Sequence, residues 1–484
     1  MLRNIVFLAT CAVGLMALAA ALDPRVESHG RNAISTDGKA IAENLGLDEI
    51  VAQLDRAFAS EWARRGLQAA SAADELTVVR RLALALMGTI PSIEEIRRLE
   101  SVPANQRVAR YLANVLNDRR FHDYFAERLA RPLVGVKDGV FIVYRRSRFV
   151  SWLSEQLRDQ RPYDEMVREL ITADGQGTDR PPVNFILAAM TPGMRPLTPD
   201  CKELASRVSR AMLGVRIDCA QCHDHPFDSW KQTDFHGLAA FFAGAKHSFA
   251  GIHEQPAPYE YENHALGRTE TIEPQVPFNP DQVPAHLPPR ERLAAWITDP
   301  ANERFGLATV NRVWALMFGR GLVEPIDDLR LDASLPPALV LLGRDFREQG
   351  YDLRRLISII ASSRVFHLDS RLENDPVSPA EHELAWAVFP LSRLRPEQVV
   401  GSLEQSASVQ TYDDGTNVLL RFAKYAETND FLKRYGDLGD DELADRGGTI
   451  PQRLLLMNGK LVKNKTRGGP AGPLLIAATQ IALF

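Results

Sequence analysis

Eight prolines lie between residues 256 and 289, and they divide the sequence into two parts. Proline lacks a backbone N–H and fixes φ, so no helix can run through this stretch. On both sides of it, apolar residues recur at steps of three and four, the period of an amphipathic helix. The sequence therefore predicts a mainly α protein with few short strands. Two helical domains, 46–250 and 289–465, would be joined by an extended proline-rich linker at 251–288.

Individual helices can be predicted from apolar stripes and from end signals. A helix over about 75–87 should end at Gly88, and Ser92 with Glu95 has the spacing of a capping box that opens the next helix. The best strand candidate, 140–144, does not alternate and is ambiguous. The remaining helices are predicted from Leu47, Ile50, Val51, Leu54, Phe58 and Trp62; Val108, Leu112 and Val115; Leu204, Val208, Ala211 and Met212, ending at Gly214; Leu307, Val310, Trp314, Met317 and Phe318; and Leu353, Leu356, Ile357 and Ile360.

The charge balance excludes a general nucleic-acid binder. The chain has 57 lysines and arginines against 62 aspartates and glutamates, a formal net charge of −5. Affinity for a polyanion depends on basic side chains that displace its counterions, and this chain has no excess of them. Apolar residues make up 45% of the sequence, which is typical of a globular protein with a buried core.

The N-terminus predicts export. Residues 1–21 combine Arg3, an apolar run and an alanine-rich A-x-A site before Asp23, as in a cleaved signal peptide. A run of about 18 apolar or small residues is marginal for a stable transmembrane anchor. We expect a periplasmic, cell-surface or secreted protein in which 22–45 is an N-terminal linker. Cys11 leaves with the signal peptide, so three cysteines remain in an oxidising compartment.

The segment 218–228 carries the clearest chemical signal. Within it, Cys219-x-x-Cys222-His223 is the attachment pattern of c-type haem. In that pattern the two thiols bond to the two vinyl groups of one porphyrin, and the imidazole that follows ligates the iron. The spacing is therefore a chemical requirement. It predicts haem c held by Cys219 and Cys222, with His223 as the iron ligand.

Two other interpretations of these residues stay open. Cys219, Cys222, His223 and His225 contain enough ligands for a structural zinc site with tetrahedral geometry. Alternatively, the cysteines form a disulfide or a small redox pair, beside histidines that are only packed or solvated. The sequence does not decide between haem, zinc and a disulfide.

Other residues near the motif have candidate roles. A secreted metal-dependent hydrolase with Asp224, His225 and Asp228 at its metal is a third possible function, although no complete catalytic set accompanies it. Candidate distal haem ligands, each more often a core or surface residue, are Met190, Met194, Met212 and His236. The aromatic residues that follow the motif are more typical of core than of a haem-pocket wall: Trp230, Phe235, Phe241 and Phe242. A charged group around the turn after Phe318 is best interpreted as a helix C-cap with salt bridges: Asn311, Arg312, Arg320, Asp327 and Asp328.

Several motifs together resemble a known domain pair. The residues that carry the resemblance are Arg81-Leu82, Gly88-x-x-Pro91, Leu213-Gly214-Val215-x-Ile217 followed by CAQCHDHPFDSW, Asp234-Phe235, Ala239-Ala240-Phe241-Phe242, Leu293-Ala294-x-Trp296, Asp299-Pro300, Val310-Asn311-Arg312-Val313-Trp314, Phe318-Gly319-Arg320-Gly321-Leu322-Val323-x-Pro325 and Ser362-Ser363-Arg364. The first half resembles the PSCyt domain, a cytochrome-like domain of unknown function expanded in planctomycetes. The second half resembles its usual partner, the PSD domain. The resemblance covers residues 46–465 and implies no assigned activity.

The C-terminus departs from this family. The PSD domain usually continues beyond a Gln-x-Leu-x-x-Asn stretch, which here runs from Gln452 to Asn458. The chain then enters a glycine- and proline-containing segment, so we expect the tail 466–484 to mark a truncated end.

The sequence favours an exported haem-c-binding protein in electron transfer or in a redox-linked process at the cell surface. Its partner would be another redox protein, not a nucleic acid, and it would have no stable transmembrane anchor. The alternative is a structural or binding protein of the cell surface with a Cys/His zinc site. No motif assigns a catalysed reaction.

Overall fold

The computed structural model describes residues 46–137, 144–190, 198–263, 266–372, 379–408, 411, 431–436, 449–459 and 461–463. The predicted signal peptide, most of the strand candidate at 140–144 and the tail 466–484 lie outside these residues. The described chain is mainly helical, as predicted, with two small two-stranded sheets. None of the described helices is long and apolar enough to cross a membrane.

The first half of the described chain consists mainly of helices joined by loops. Its helices are α1 (Leu47–Arg65), α2 (Glu75–Met87), α3 (Ile93–Glu100), α4 (Ala104–Leu116), α5 (Arg119–Val134), α6 (Arg146–Arg158), α7 (Tyr163–Thr172), α8 (Asn184–Leu187), α9 (Cys201–Arg207) and α10 (Gln232–Ala240). The buried stripe of α1 contains the residues predicted for it from Leu47 to Trp62, with Val51 at its half-buried edge.

Local end signals fix the helix boundaries as predicted. The Asp74 side chain accepts the Thr77 N–H at the start of α2, and Gly88 ends α2 in the left-handed conformation. Ser92 and Glu95 form a capping box at the start of α3, in which each side chain accepts a backbone N–H from the other residue.

The proline-rich stretch differs from the predicted extended linker. It contains strands β2 (Gly251–Glu254), β3 (Tyr259–Asn263) and β4 (Arg268–Ile272), while β1 (Ala245–Ser248) lies just before it. β1 pairs antiparallel with β2, and β3 pairs antiparallel with β4. The prolines lie between and after the strands, so each hairpin occupies a proline-free segment and keeps its backbone hydrogen bonds.

Helices resume after the last prolines. They are α11 (Pro289–Ile297), α12 (Glu303–Phe318), α13 (Pro337–Glu348), α14 (Leu353–Ser362), α15 (Arg364–His367), α16 (Pro379–Leu384), α17 (Pro396–Ser406) and α18 (Ile450–Asn458). The residues predicted for the two main helices of this half lie in α12 and α14.

One apolar core extends through both halves of the described chain. Its buried residues run from Leu47 to Phe389. α1, at the start of the chain, packs against α13 and α14, and α7 packs against α11. The indole N–H of Trp62 donates to the carbonyl of Ala385 at 2.8 Å. The two predicted halves therefore share their core.

Candidate functional site

The cysteine motif follows a helix with an unusual end. α9 continues into one π-helical turn, Val208–Leu213, which ends at Gly214 with a φ of 62°. Such turns widen the backbone spiral and are frequent at functional sites. The left-handed conformation of Gly214 then redirects the chain toward the motif.

Buried neighbours anchor the motif and leave its sulfurs exposed. Ile217 and Ala220 are fully buried in the core. Cys219 and Cys222 are exposed free thiols, and Cys219 lies on the short 3-10 turn Asp218–Gln221. Ile217 and Ala220 fix the backbone on its core side. Both thiols therefore lie at the surface, where a covalent partner can reach them.

The third described cysteine has a different environment. Cys201 begins α9 and is a free, partly buried thiol. Burial raises the pKa of Cys201 to about 11, and the neighbouring Asp200 carboxylate adds to the effect. Since the thiolate is the reactive form, we expect Cys201 to be much less reactive than the two exposed cysteines.

His223 has the protonation pattern of a ligand. Its Nδ1 lies 2.7 Å from the carbonyl oxygen of Asp224. A carbonyl oxygen can only accept, so Nδ1 carries the proton of the neutral ring and Nε2 keeps its lone pair. Ligating histidines commonly donate the other ring N–H to a backbone carbonyl in this way. His223 is exposed, so Nε2 is accessible.

His225 has the opposite pattern. The Phe227 N–H donates to its Nδ1 at 3.2 Å, so in the neutral ring the proton lies on Nε2. In this arrangement Nε2 is a donor and cannot ligate a metal. The two histidines of the His-Asp-His run are therefore not equivalent.

The two aspartates of the segment stabilise turns. Asp224 accepts the Gln232 N–H at 2.9 Å, and Asp228 accepts the Ser229 N–H at 2.7 Å. Within the described ranges, no three His, Cys, Asp or Glu side chains come together to hold a metal ion. A zinc or hydrolase site is thus not preformed in this part of the chain.

His236, which lies on α10, is hydrogen-bonded to the backbone of the motif. Its Nε2 donates to the carbonyl of Gln221, between the two cysteines, at 3.0 Å, and its Nδ1 accepts the Tyr259 hydroxyl at 2.9 Å. The ring is 3% exposed and stacks on Tyr261, with 4.2 Å between centroids. Because both ring nitrogens are hydrogen-bonded, the distal-ligand role considered for His236 does not fit this arrangement. His236 fixes the backbone of the motif instead.

Two of the other candidate distal ligands, Met190 and Met212, lie in the described residues. Met212 is buried in the π-helical turn, and the Met190 backbone pairs with Pro199. Met194 lies outside the described residues. The aromatic residues after the motif are buried core, as the sequence favoured: Trp230, Phe235, Phe241 and Phe242. Phe227, in contrast, is 86% exposed.

Family models account for both halves of the chain. Residues 53–247 match PSCyt2, a protein of unknown function (DUF1549). Residues 289–434 match PSD1, also a protein of unknown function (DUF1553). The chain therefore carries a PSCyt2 region followed by a PSD1 region. No curated protein and no solved structure matches this PSCyt2–PSD1 chain.

The PSD1 region contributes side chains beside the PSCyt2 motif. Arg304 on α12 donates to the carbonyl of Leu213, and Asp327 pairs with Arg216 at 2.7 Å. Gly319 does cap α12, as predicted, with a φ of 89°. Asp327, however, has its partner in the other half of the chain. Sequence analysis missed Arg304 because its partners are recognisable only after distant segments have come together.

Proposed function

We propose that this PSCyt2–PSD1 protein is an exported c-type-haem-binding protein, with haem attached at Cys219 and Cys222 and ligated by His223. The observation that carries the proposal is the state of His223: Nδ1–H donates to the carbonyl of Asp224, and the Nε2 lone pair remains available next to two exposed free thiols. This is the donor set that the Cys-x-x-Cys-His chemistry needs.

Each residue of the motif would have one task. The thiols of Cys219 and Cys222 would each add across a vinyl group, forming a C–S bond while the thiol proton goes to the neighbouring carbon. His223 would hold the iron through Nε2, oriented by its bond to the Asp224 carbonyl. Bound haem c supplies one-electron redox chemistry at its iron.

The export predicted from the sequence supports this assignment. The signal-peptide pattern of residues 1–21 would deliver the chain outside the cytoplasm, to the periplasm or cell surface. We propose a role in electron transfer or a redox-linked surface process with a partner redox protein. The family name PSCyt2 hints at a cytochrome-like domain, which agrees with this role.

The zinc alternative has less support. Its fourth candidate ligand, His225, keeps the proton on Nε2. The hydrolase alternative relies on Asp224 and Asp228, whose Oδ1 atoms accept backbone N–H groups in turns. A zinc site is an alternative outcome of the haem-attachment experiment.

The test is covalent haem in protein matured in a host that assembles c-type cytochromes. We expect a reduced absorption spectrum typical of haem c and a denatured band that keeps peroxidase activity. Cys219→Ser with Cys222→Ser should abolish that band because no C–S bond can form. Cys201→Ser is the matched control and should keep it.

The histidine variants separate the alternatives. His225→Ala should keep both haem and spectrum, whereas His223→Ala should change the iron ligation in whatever protein still carries haem. Colourless protein with about one zinc per chain that is lost in His225→Ala would contradict the proposal and support the zinc site. Colourless, metal-free protein with a Cys219–Cys222 disulfide would contradict both.

A further inference from the structure

One face of α12, in the PSD1 region, lies against the turn that precedes the cysteine motif. Arg304 and Arg312 lie on this face two turns apart, with Ala308 between them. The Nε of Arg304 donates to the carbonyl of Leu213 at 3.3 Å, and its Nη2 donates to the carbonyl of Gly214 at 3.2 Å. A Cβ built on Gly214 would lie 3.0 Å from the Cβ of Ala308. α12 and the end of the π-helical turn are therefore in direct contact.

Arg304 joins three backbone segments. Its Nη2 also donates to the carbonyl of Leu329, whose own N–H donates to the carbonyl of Gly214 at 2.7 Å. Arg304 is 9% exposed, and burial lowers the pKa of its guanidinium to about 10. The group still carries its charge at neutral pH. A buried charge is costly unless it is well hydrogen-bonded, so these carbonyls must keep their places around it.

A second connection reaches the motif through Asp327. This carboxylate pairs with Arg216 at 2.7 Å, two residues before Asp218. Asp218 itself pairs with Arg210 of the π-helical turn, also at 2.7 Å. The backbone from Gly214 to Cys219 is thus held by ion pairs and hydrogen bonds, several of which originate in the PSD1 region.

We propose that Arg304 and Asp327 are positioning residues for the Cys219–His223 motif, so that the PSD1 region completes the PSCyt2 site. The expected effect of these residues on haem attachment rests on the proposed function. Their effect on the backbone of the motif does not, because the protein alone makes these contacts. A turn of fixed shape holds both thiols in one geometry, which favours their bonding to the same porphyrin.

A matched arginine exists elsewhere between the same two regions. Arg290 is even more buried than Arg304. It donates to the carbonyls of Ile171 and Ala173 and pairs with Glu254 at 2.7 Å. It joins the PSD1 and PSCyt2 regions away from the cysteine motif. Loss of Arg290 should therefore loosen that other contact and leave the motif unchanged.

The test compares full-length Arg304→Met, Arg304→Lys and Arg290→Met without haem, by native-state hydrogen exchange. We expect exchange of peptides covering 213–224 to accelerate about tenfold or more in Arg304→Met. The acceleration should be smaller in Arg304→Lys, which keeps the charge and one donor nitrogen. In Arg290→Met these peptides should exchange as in the wild type, while peptides covering 171–175 accelerate. Asp327→Asn, a milder change, should accelerate 213–224 even if Arg304→Met does not fold.

Haem attachment gives the second readout. If the wild type binds haem, the amount of covalent haem per folded chain should fall at least several-fold in Arg304→Met and stay unchanged in Arg290→Met. A wild type without haem would overturn the proposed function and leave the exchange result to decide the positioning role. Unchanged exchange at 213–224 in both the Arg304 and Asp327 variants, or the same acceleration in Arg290→Met, would overturn the positioning role.

Discussion

At the scale of single residues, the site depends on which ring nitrogen carries a proton. His223 and His225 are two residues apart, yet one donates from Nδ1 to a carbonyl and the other accepts at Nδ1 from an N–H. Only His223 keeps an Nε2 lone pair. The local turn, and not the residue type, therefore determines which ring nitrogen is available to a ligand-binding role.

This difference can be measured in the protein without haem. At a pH where both imidazoles are neutral, nitrogen NMR of labelled histidine should find His223 as the Nδ1–H tautomer and His225 as the Nε2–H tautomer. His223→Gln and His225→Gln assign the two signals. The same tautomer at both positions would contradict this pair of hydrogen bonds.

The candidate site was only partly predictable from sequence. The two cysteines and His223 are recognisable because their chemistry is contained in five consecutive residues. His236 could not be assigned its role, since its partners, Gln221 and Tyr259, lie 15 and 23 residues away in the chain. A histidine that positions a backbone and one that ligates iron look alike in sequence.

At the scale of elements, helix ends were predictable and the hairpins were not. Gly88 and the Ser92–Glu95 box determine helix boundaries through contacts within a few residues. Strand β3 alternates tyrosine with glutamate and buries Tyr261, but it is only five residues long. Its partner β4 carries charged and polar side chains on most of its length, so the hairpin as a whole gives a weak strand signal. The prolines around the two strands further obscured the signal.

Gly214 allows a prediction at this scale. Gly66, which ends α1, has a similar φ of 67°, and a Cβ added there would have nothing within 4 Å, whereas a Cβ on Gly214 would meet Ala308 at 3.0 Å. Gly66→Ala should lower the free energy of unfolding by about 1–2 kcal/mol, the cost of the left-handed conformation. Gly214→Ala should lose a further 1–3 kcal/mol or so, because the added methyl overpacks the contact.

Chemical denaturation of the two variants checks this. Equal losses of unfolding free energy at Gly66 and Gly214 would contradict it. They would mean that α12 is too far from the π-helical turn for the added methyl group to clash with it.

At the scale of the whole molecule, one apolar core is shared by the two regions that the sequence predicts as separate domains. Buried residues from both family regions belong to one cluster, and contacts such as that between Trp62 and Ala385 join residues far apart in sequence. Sequence patterns identified the helices but not their partners, because periodicity shows which face is buried and not what covers it.

Limited proteolysis tests how far the halves depend on each other. We expect cleavage near the exposed residues Ala285 and His286, after the hairpins. The two pieces should stay associated in native buffer and separate only in denaturant, because apolar contacts cross the cut. The intact chain serves as the size standard. Two folded pieces that separate in native buffer would instead support independent domains.

The packing of α1 also sets an order of events during synthesis. The first helix is completed by residue 65, but much of what covers it comes from α13, α14 and the residues around Ala385. At about 5–20 residues per second, roughly 10–30 s separate the synthesis of Cys222 from that of the last core residues. During this interval the motif exists without its finished surroundings. An enzyme that modifies Cys219 and Cys222 during this interval acts on an incompletely folded chain.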